Sequence, residues 1–497
     1  MNIPFLDLQR NYEPIKNEVD KAIHNVLNKN NYILGEELTI FEKNFANYLG
    51  VKHFIGVGNG TDALEIAVNS LDLKETDEII VQCNTYVATC FGVVSNNCKL
   101  VLCKCDRDNF QINIEDMKNK ITSNTRAIIV VPLYGLVPNM DKIVEICNEN
   151  NLILIEDAAQ AHGARWKGKR IGSFGKISCF SFYPGKNLGA YGDGGGIATN
   201  DDELNLKIRK LRNNGSIIKY KHELIGRNSR LDTIQAAILD VKLKYLDSNN
   251  QKRRDVANKY ISLLKDVEEI ELPIELEDTE SVYHLFVIKT KHRDELQEYL
   301  KKNNIVTLIH YPISCNELEC FEKLNFTELD NSLSSEILSL PMFPELTNEE
   351  IEYTCKIIKK MFIERKEKII QFKSNLTNNK DGILHCINNL DFETKRVFYI
   401  DNFKTGETRG NHANINTDEY LFVLNGNLKL ELVNKKNEKK TFYLFKNEGI
   451  LIERNNWIIF SSINEDTIVM VLANKEYNDT QSINDFDEFL ECEYLLE

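Results

Sequence analysis

Through the first two hundred residues the chain repeats one pattern, a run of four or five apolar residues, a turn, then apolar positions three or four apart. The short runs include Phe54 to Val57, the segment IIVQC at 79–83, AIIVV at 127–131 and Leu152 to Ile155. Runs of this length, closed by Gly, Pro or a sudden polar residue, have the length of buried strands. Between them, Phe41, Phe45 and Tyr48-Leu49 fall on one helix face that Gly50 should end, and Ala63, Leu64, Ala67 and Leu71 mark a helix beginning near Thr61. After residue 200 the segment LNLKIRKLRNNG is again helical. Strands alternating with helices predict a mainly parallel sheet covered by helices.

A long helical stretch from Asn348 to about Lys373, with the charge run ERKEK, leads into the polar, Asn-rich SNLTNNKDG. From about residue 383 the period changes to two. Leu428, Leu430 and Leu432 alternate with Lys429 and Glu431, and the preceding Asn425-Gly426 reads as a hairpin turn. Ile450 to Ile452 and Ile468 to Ala473 add strands, so an all-β barrel or jelly roll is expected here. The domain plan is therefore 1–372, a linker at 373–382, and 383–497.

Chemistry gathers at residues 151–189. The strand Leu152 to Ile155 ends abruptly at Glu156-Asp157, and ligands of open α/β sheets collect at the carboxyl ends of strands. Gln160 follows one turn later, and Lys186 lies in the Gly/Pro-punctuated turn YPGKNLG. An acid and an amine together suit pyridoxal phosphate, whose aldehyde forms a Schiff base with lysine and whose pyridine nitrogen a buried carboxylate keeps protonated. The Gly58-Asn59-Gly60 turn before a helix suits a phosphate, through free first-turn N–H groups and the helix dipole.

The stretches EDAAQAHGA at 156–164 and SFYPGKNLGAYGDGG at 181–195 resemble the DegT/DnrJ/StrS-type sugar aminotransferases, and the resemblance runs from about residue 3 to 370. It implies an α/β pyridoxal-phosphate-dependent transferase of fold type I, with a large cofactor domain to about 245 and a small subdomain over 246–372. It further implies that Asp157 holds the pyridinium nitrogen, Gln160 faces the ring hydroxyl, Ser181 contacts the phosphate and Lys186 bonds the cofactor. GNGTDAL is similar to the family's phosphate loop, which assigns Gly60, Thr61 and the Asp62 amide to the phosphate, and TYVAT places Tyr86 on the pyridine ring. In GRNSRLD, Asn228 would reach the cofactor phosphate of the other subunit, so a homodimer with shared sites is expected.

KYKHE at 219–223 and RRDVANKY at 253–260 are similar to segments of the enzymes that aminate C3 of a dTDP-linked 3-keto-6-deoxyhexose. By that resemblance Lys219, Tyr220, His222, Tyr183 and His310 face the substrate, and glutamate is the amino donor. The segment after His310 reads IHYPISCNELECF, where the family often has a further histidine.

In the C-terminal part, RGNHANINTDEYLFVLNG, Trp457 and VLANKEYNDTQSINDFDEFL resemble the dTDP-sugar 3,4-ketoisomerases, cupin-type enzymes related to the WxcM C-terminal domain. These turn a 4-keto-6-deoxyhexose into the 3-keto isomer that a C3 aminotransferase requires, using an HxH pair on one strand face. Here the pair is His412 and Asn414, and Asn cannot carry a proton near neutral pH; Asn484 also stands near where an arginine is expected. Arg409 is expected to face the sugar nucleotide. Three outcomes follow: a C3 aminotransferase for surface-glycan amino sugars, a bifunctional isomerase–aminotransferase, or a C4 aminotransferase with a non-catalytic sugar-nucleotide-binding cupin. A related sugar dehydratase would lack Lys186, and a regulator or scaffold would not need Lys186, Asp157 and Gln160 together.

The charge of −14 over 497 residues disfavours nucleic acid or an anionic membrane as partner. No basic-then-apolar N-terminal segment and no membrane-length apolar run occur, so a cytoplasmic protein is expected. The 12 cysteines show no CxxC pair, and the closest set, Cys98, Cys103 and Cys105, has no neighbouring histidine, so reduced thiols and no metal site are expected.

Overall fold

The structure is a computed structural model and describes residues 1–324, 326, 329, 332–371, 373–375, 384–386 and 390–492. By packing it divides into two units, Met1–Arg293 with Leu300–Lys356, and Asp294–Tyr299 with Ile357–Glu497. Residues 376–382 of the expected linker lie outside the described residues.

The first unit is built on seven strands: β1 (His53–Val57), β2 (Glu78–Gln82), β3 (Lys99–Cys103), β4 (Thr125–Val130), β5 (Ile153–Asp157), β6 (Ile177–Ser181) and β7 (Gly195–Thr199). Their spatial order is β1-β7-β6-β5-β4-β2-β3, and only β7 runs against its neighbours. The near-continuous apolar composition of these strands follows from burial on both faces. One face packs Phe54, Phe180 and Phe182 against α1 (Glu36–Leu49), which contributes Phe41, Phe45 and Leu49. Gly50 adopts φ +76° and closes that helix, as its position predicted. The other face packs Ile55, Val57, Ile79 and Ile155 against α2 (Gly60–Asn69), with Ala63, Leu64 and Ala67 inward.

Glu156 is fully buried beside this core. Its carboxylate accepts from the N–H groups of Gly172, Phe174 and Gly175 at 2.7, 2.8 and 2.7 Å and from Ser178 Oγ at 2.9 Å. The second acidic residue of the Glu156-Asp157 pair is thereby left to face the carboxyl end of the sheet.

The second unit contains two five-stranded antiparallel sheets. Its main strands are β8 (Arg396–Ile400), β9 (Thr408–Asn414), β10 (Glu419–Asn425), β11 (Asn427–Val433), β12 (Lys439–Phe445), β13 (Glu448–Ile452), β14 (Trp457–Ser462) and β15 (Ile468–Ala473). One sheet runs from the strand Ile369–Gln371 through β13-β10-β15-β8, and the other through β12-β11-β14-β9 to the strand Ser482–Ile483. Alternate residues, among them Leu421, Val423, Leu428, Leu430, Ile458 and Phe460, fill the space between the sheets. Trp457 packs outside it, against Phe486 and Phe489.

Two local expectations are corrected. Asn425-Gly426 is not a hairpin turn, because β10 pairs with β13 and β15 while β11 pairs with β12 and β14, so the chain changes sheets at this corner. A two-residue type I′ turn needs positive φ at both central residues, and of this pair only Gly426 has it, at +72°. The long helix ends at Lys368 rather than near Lys373, because Ile369–Gln371 pairs with β13 instead.

Candidate functional site

The carboxyl ends of β2, β5 and β6 and the first turn of α2 converge. Asp157, the last residue of β5, is buried; Thr89 Oγ1 donates to its Oδ2 at 2.7 Å and the Ala159 N–H to its Oδ1 at 3.2 Å. Burial pushes its carboxyl above the usual range, while the Thr89 hydrogen bond, the Ala159 N–H and the charge of Lys186 oppose the rise.

Lys186 lies in the turn after β6. That turn is tight: the Lys186 N–H donates to Tyr183 O at 2.8 Å, and a Cβ at Gly189 would lie 2.3 Å from Pro184 O. Asn187 anchors it from the side, with both amide hydrogens committed, to Asn250 Oδ1 at 2.9 Å and Val282 O at 3.0 Å. Its Oδ1 must therefore accept from His284 Nδ1 at 3.1 Å, which fixes the tautomer of that histidine. Burial pushes the Lys186 ammonium down to about 8, with Asp157 pulling the other way. An amine that gives up its proton this easily, within the field of a buried carboxylate, is the pair a pyridoxal cofactor requires.

The phosphate residues expected from sequence also meet. A Cβ on Gly60 would lie 2.7 Å from Ser181 Cβ, so the first turn of α2 approaches the end of β6 as closely as a glycine permits. The Asp62 amide, expected at the phosphate, is instead taken by the helix cap, donating to Asn59 Oδ1 at 2.8 Å, which leaves the Gly60 and Thr61 amides with the Ser181 hydroxyl to face an anion. The Asp62 carboxylate is turned aside by Ser229 Oγ and Arg227.

Gln160 is buried, accepting from the Tyr134 N–H at 2.6 Å and donating to Tyr311 OH at 2.9 Å. Tyr86 precedes the helix Val87–Val94 and is exposed, with its ring centroid 5.6 Å from that of Tyr311. His310 bonds Ser339 Oγ through Nδ1 at 2.9 Å, and burial lowers it to about 4, so it is neutral at physiological pH. Tyr183 is exposed beside the Lys186 turn. Lys219, Tyr220 and His222 lie on an exposed segment, where Lys219 Nζ sits 5.1 Å from the Tyr220 ring centroid and His222 Nδ1 2.8 Å from Asn214 O. Asn228 is exposed, directly before Ser229, whose Oγ accepts from the Gly58 N–H at 3.0 Å.

Sequence reading missed Thr89, Tyr311, Asn187 and His284. Thr89 had a local signal, one helical turn after Tyr86. Asn187 directly follows Lys186, whereas Tyr311 and His284 lie 151 and 97 residues from the Gln160 and Asn187 side chains they meet.

In the second unit, a bulge at Asn411 sets Arg409 opposite Phe460 and His412 opposite Ile458, so both share the strand face of those inward residues. Arg409 is exposed and pairs with Glu407 at 2.6 Å; His412 is half-buried, and buried Asn414 accepts from Ser482 Oγ at 2.6 Å.

No helix among the described residues is long and apolar enough to cross a membrane. Residues 13–359 match the DegT/DnrJ/EryC1/StrS aminotransferase family, and residues 365–493 match the WxcM-like, C-terminal family. Over 348 residues, 69% of this chain and 92% of the relative, the chain is 42% identical to dTDP-3-amino-3,4,6-trideoxy-alpha-D-glucose transaminase of Streptomyces venezuelae. It is 44% identical over 358 residues to dTDP-3-amino-3,6-dideoxy-alpha-D-galactopyranose transaminase of Aneurinibacillus thermoaerophilus, covering 72% of this chain and 98% of that one. Among solved structures it is similar to S. venezuelae DesV in complex with a ketimine intermediate, with TM-score 0.70, 40% identity, and 72% and 98% of the two chains covered.

Proposed function

The chain belongs to the DegT/DnrJ/EryC1/StrS aminotransferase family, and from that premise we propose that it transfers the amino group of glutamate to C3 of a dTDP-linked 3-keto-6-deoxyhexose, as a homodimer with shared sites. The cofactor is pyridoxal 5′-phosphate. The observation that carries the reading is the Lys186 amine, lowered to about 8, held within the field of buried Asp157. C3 is supported by the similarity to the S. venezuelae and A. thermoaerophilus relatives, each named a 3-amino sugar transaminase, and by the KYKHE segment.

The residues present fit this cofactor. When bound, it supplies an aldehyde that captures amines and a ring that draws electrons from the adjoining carbon. Asp157 keeps a proton on the ring nitrogen, since a buried carboxylate and a pyridinium neutralise each other. Gly60, Thr61 and Ser181 bind the phosphate, helped by the dipole of α2 and by Asn228 of the second subunit. Tyr86 offers a flat face to the ring, and Gln160, fixed by Tyr134 and Tyr311, retains one amide hydrogen for the ring hydroxyl. Lys186 Nζ, its proton loosened by burial, takes the proton from the substrate carbon when unprotonated and returns it.

A second reading concerns the C-terminal barrel, in which a 4-keto sugar nucleotide is isomerised to the 3-keto substrate. His412 on an inward strand face, beside the charged groups Arg396 and Glu419, favours it over a purely binding role.

The transaminase reading is tested with purified protein, pyridoxal phosphate and glutamate. Visible absorbance should develop, glutamate should bleach it with release of 2-oxoglutarate, and Lys186→Ala should show neither change. Wild-type protein that stays colourless with the cofactor would refute the reading.

A further inference from the structure

The C-terminal barrel holds a carboxylate whose position is not explained by packing. Glu419 opens β10 opposite Ile452 and Ala473, on the same inward face as Leu421 and Val423. Arg396, at the start of β8, donates to its Oε1 at 3.0 Å. Asn414 uses its Oδ1 to accept from Ser482, which leaves its amide nitrogen to donate to Glu419, and Glu419 also lies within the field of His412. Two strands of one sheet, β8 and β10 on either side of β15, and β9 of the other sheet thus bring a guanidinium, a carboxylate and an imidazole to one end of the barrel.

A buried ion pair is a poor stabiliser, since apolar residues of similar volume do as well. One feature of the cluster indicates a ligand instead. The Arg396 Nε–H is buried with no protein acceptor among the described residues. A cleft of about 720 Å³ opens nearby, lined by Leu432 and Ile450, by Lys436 and Lys440 with Glu438 and Glu453, and by Asn455, whose N–H donates to Asn414 O at 2.8 Å; Glu419, His412 and Arg396 do not line it.

The geometry points to Glu419 as the second proton carrier of this barrel, working with His412 on the α-hydroxy ketone of a sugar nucleotide and replacing the base that residue 414 cannot supply. The inference rests on the reading that the barrel isomerises a keto sugar. Glu419 removes the C3 proton; the C–H electron pair forms the C3–C4 double bond, the carbonyl pair moves to O4, and His412 protonates that oxygen. His412 then takes the proton from the C3 hydroxyl, C3=O forms, and the double-bond pair accepts the proton from Glu419 at C4. C3 is oxidised and C4 reduced within one molecule, so no external oxidant or reductant is needed. The Arg396 Nε–H is free to stabilise the developing oxyanion. Burial pushes the Glu419 carboxyl upward against the opposing charges of Arg396 and His412, which strengthens it as a base.

The test uses the full-length holoenzyme without amino donor, with dTDP-4-keto-6-deoxyglucose in deuterium oxide, followed by NMR. Wild-type protein should replace the C3 hydrogen with deuterium and form the 3-keto isomer. Glu419→Gln should slow both by about 100-fold or more, with transamination of authentic 3-keto sugar unchanged. Glu419→Gln combined with Asn414→His, which restores a proton carrier, should recover at least about tenfold of that loss and so exclude simple unfolding of the barrel. Wild-type exchange rates in the single variant, or a double variant no faster than the single, would overturn the role of Glu419 while leaving the isomerase reading intact. Wild-type protein that neither exchanges nor isomerises would overturn both.

Discussion

Lys186 is the residue on which the proposed chemistry turns, and its environment has a measurable signature in the apoprotein. In the folded chain its pKa is lowered to about 8 from an ordinary 10.5, so the folded state binds fewer protons than the unfolded state between those values. Stability attributable to this group therefore rises with pH across that window, and the cost of burying the ammonium is fully present below it. Lys186→Met should raise the melting temperature of the apoprotein at pH 7, and the gain should shrink as pH climbs from about 8 toward 10.5. Thermal denaturation of both proteins across this range checks the sign. Lys186, Asp157 and Gln160 were legible in the sequence because each sits at a strand end or a glycine-bounded turn, where local pattern and chemistry coincide. His284 and Tyr311 were not, since nothing near either residue signals the Asn187 or Gln160 side chain that it meets.

At the scale of elements, the end of β5 depends on its neighbour. Glu156 gathers three backbone N–H groups and a hydroxyl from the segment between β5 and β6 and the start of β6. Glu156→Gln sets an NH₂ group against buried N–H donors and should destabilise the first unit by about 2–3 kcal/mol, with a matching loss of cofactor affinity through displaced Asp157. Denaturant unfolding and cofactor titration would measure both. Strands β1, β2, β4 and β5 were readable because burial on both faces leaves an apolar run, whereas β3, β6 and β7 were not read as strands. The Asn425-Gly426 corner was misread for a physical reason: alternation reports which residues face inward, but both sheets of a barrel share the same interior, so it cannot tell a hairpin from a crossover between sheets.

For the whole molecule, the proposed sharing of the cofactor site across a homodimer predicts complementation. In a mixed dimer of Lys186→Ala and Asn228→Ala chains, one site carries both lesions and the other carries neither. Coexpression in equal amounts should therefore restore about a quarter of wild-type sites, above either variant alone; mixed preparations no more active than Asn228→Ala would rule the shared site out. The two-part plan of the chain was visible as a change of apolar period from three or four to two, whereas the pairing of Glu419 with Arg396 was not, because 23 residues, including a strand of the other sheet, separate them in the chain. The central claim, amination at C3, is tested most directly by giving the holoenzyme [15N]glutamate and authentic dTDP-3-keto-6-deoxyhexose and locating the label by NMR. Nitrogen-15 bonded to C3 is the predicted result; label at C4, or no transfer to this sugar, would contradict it.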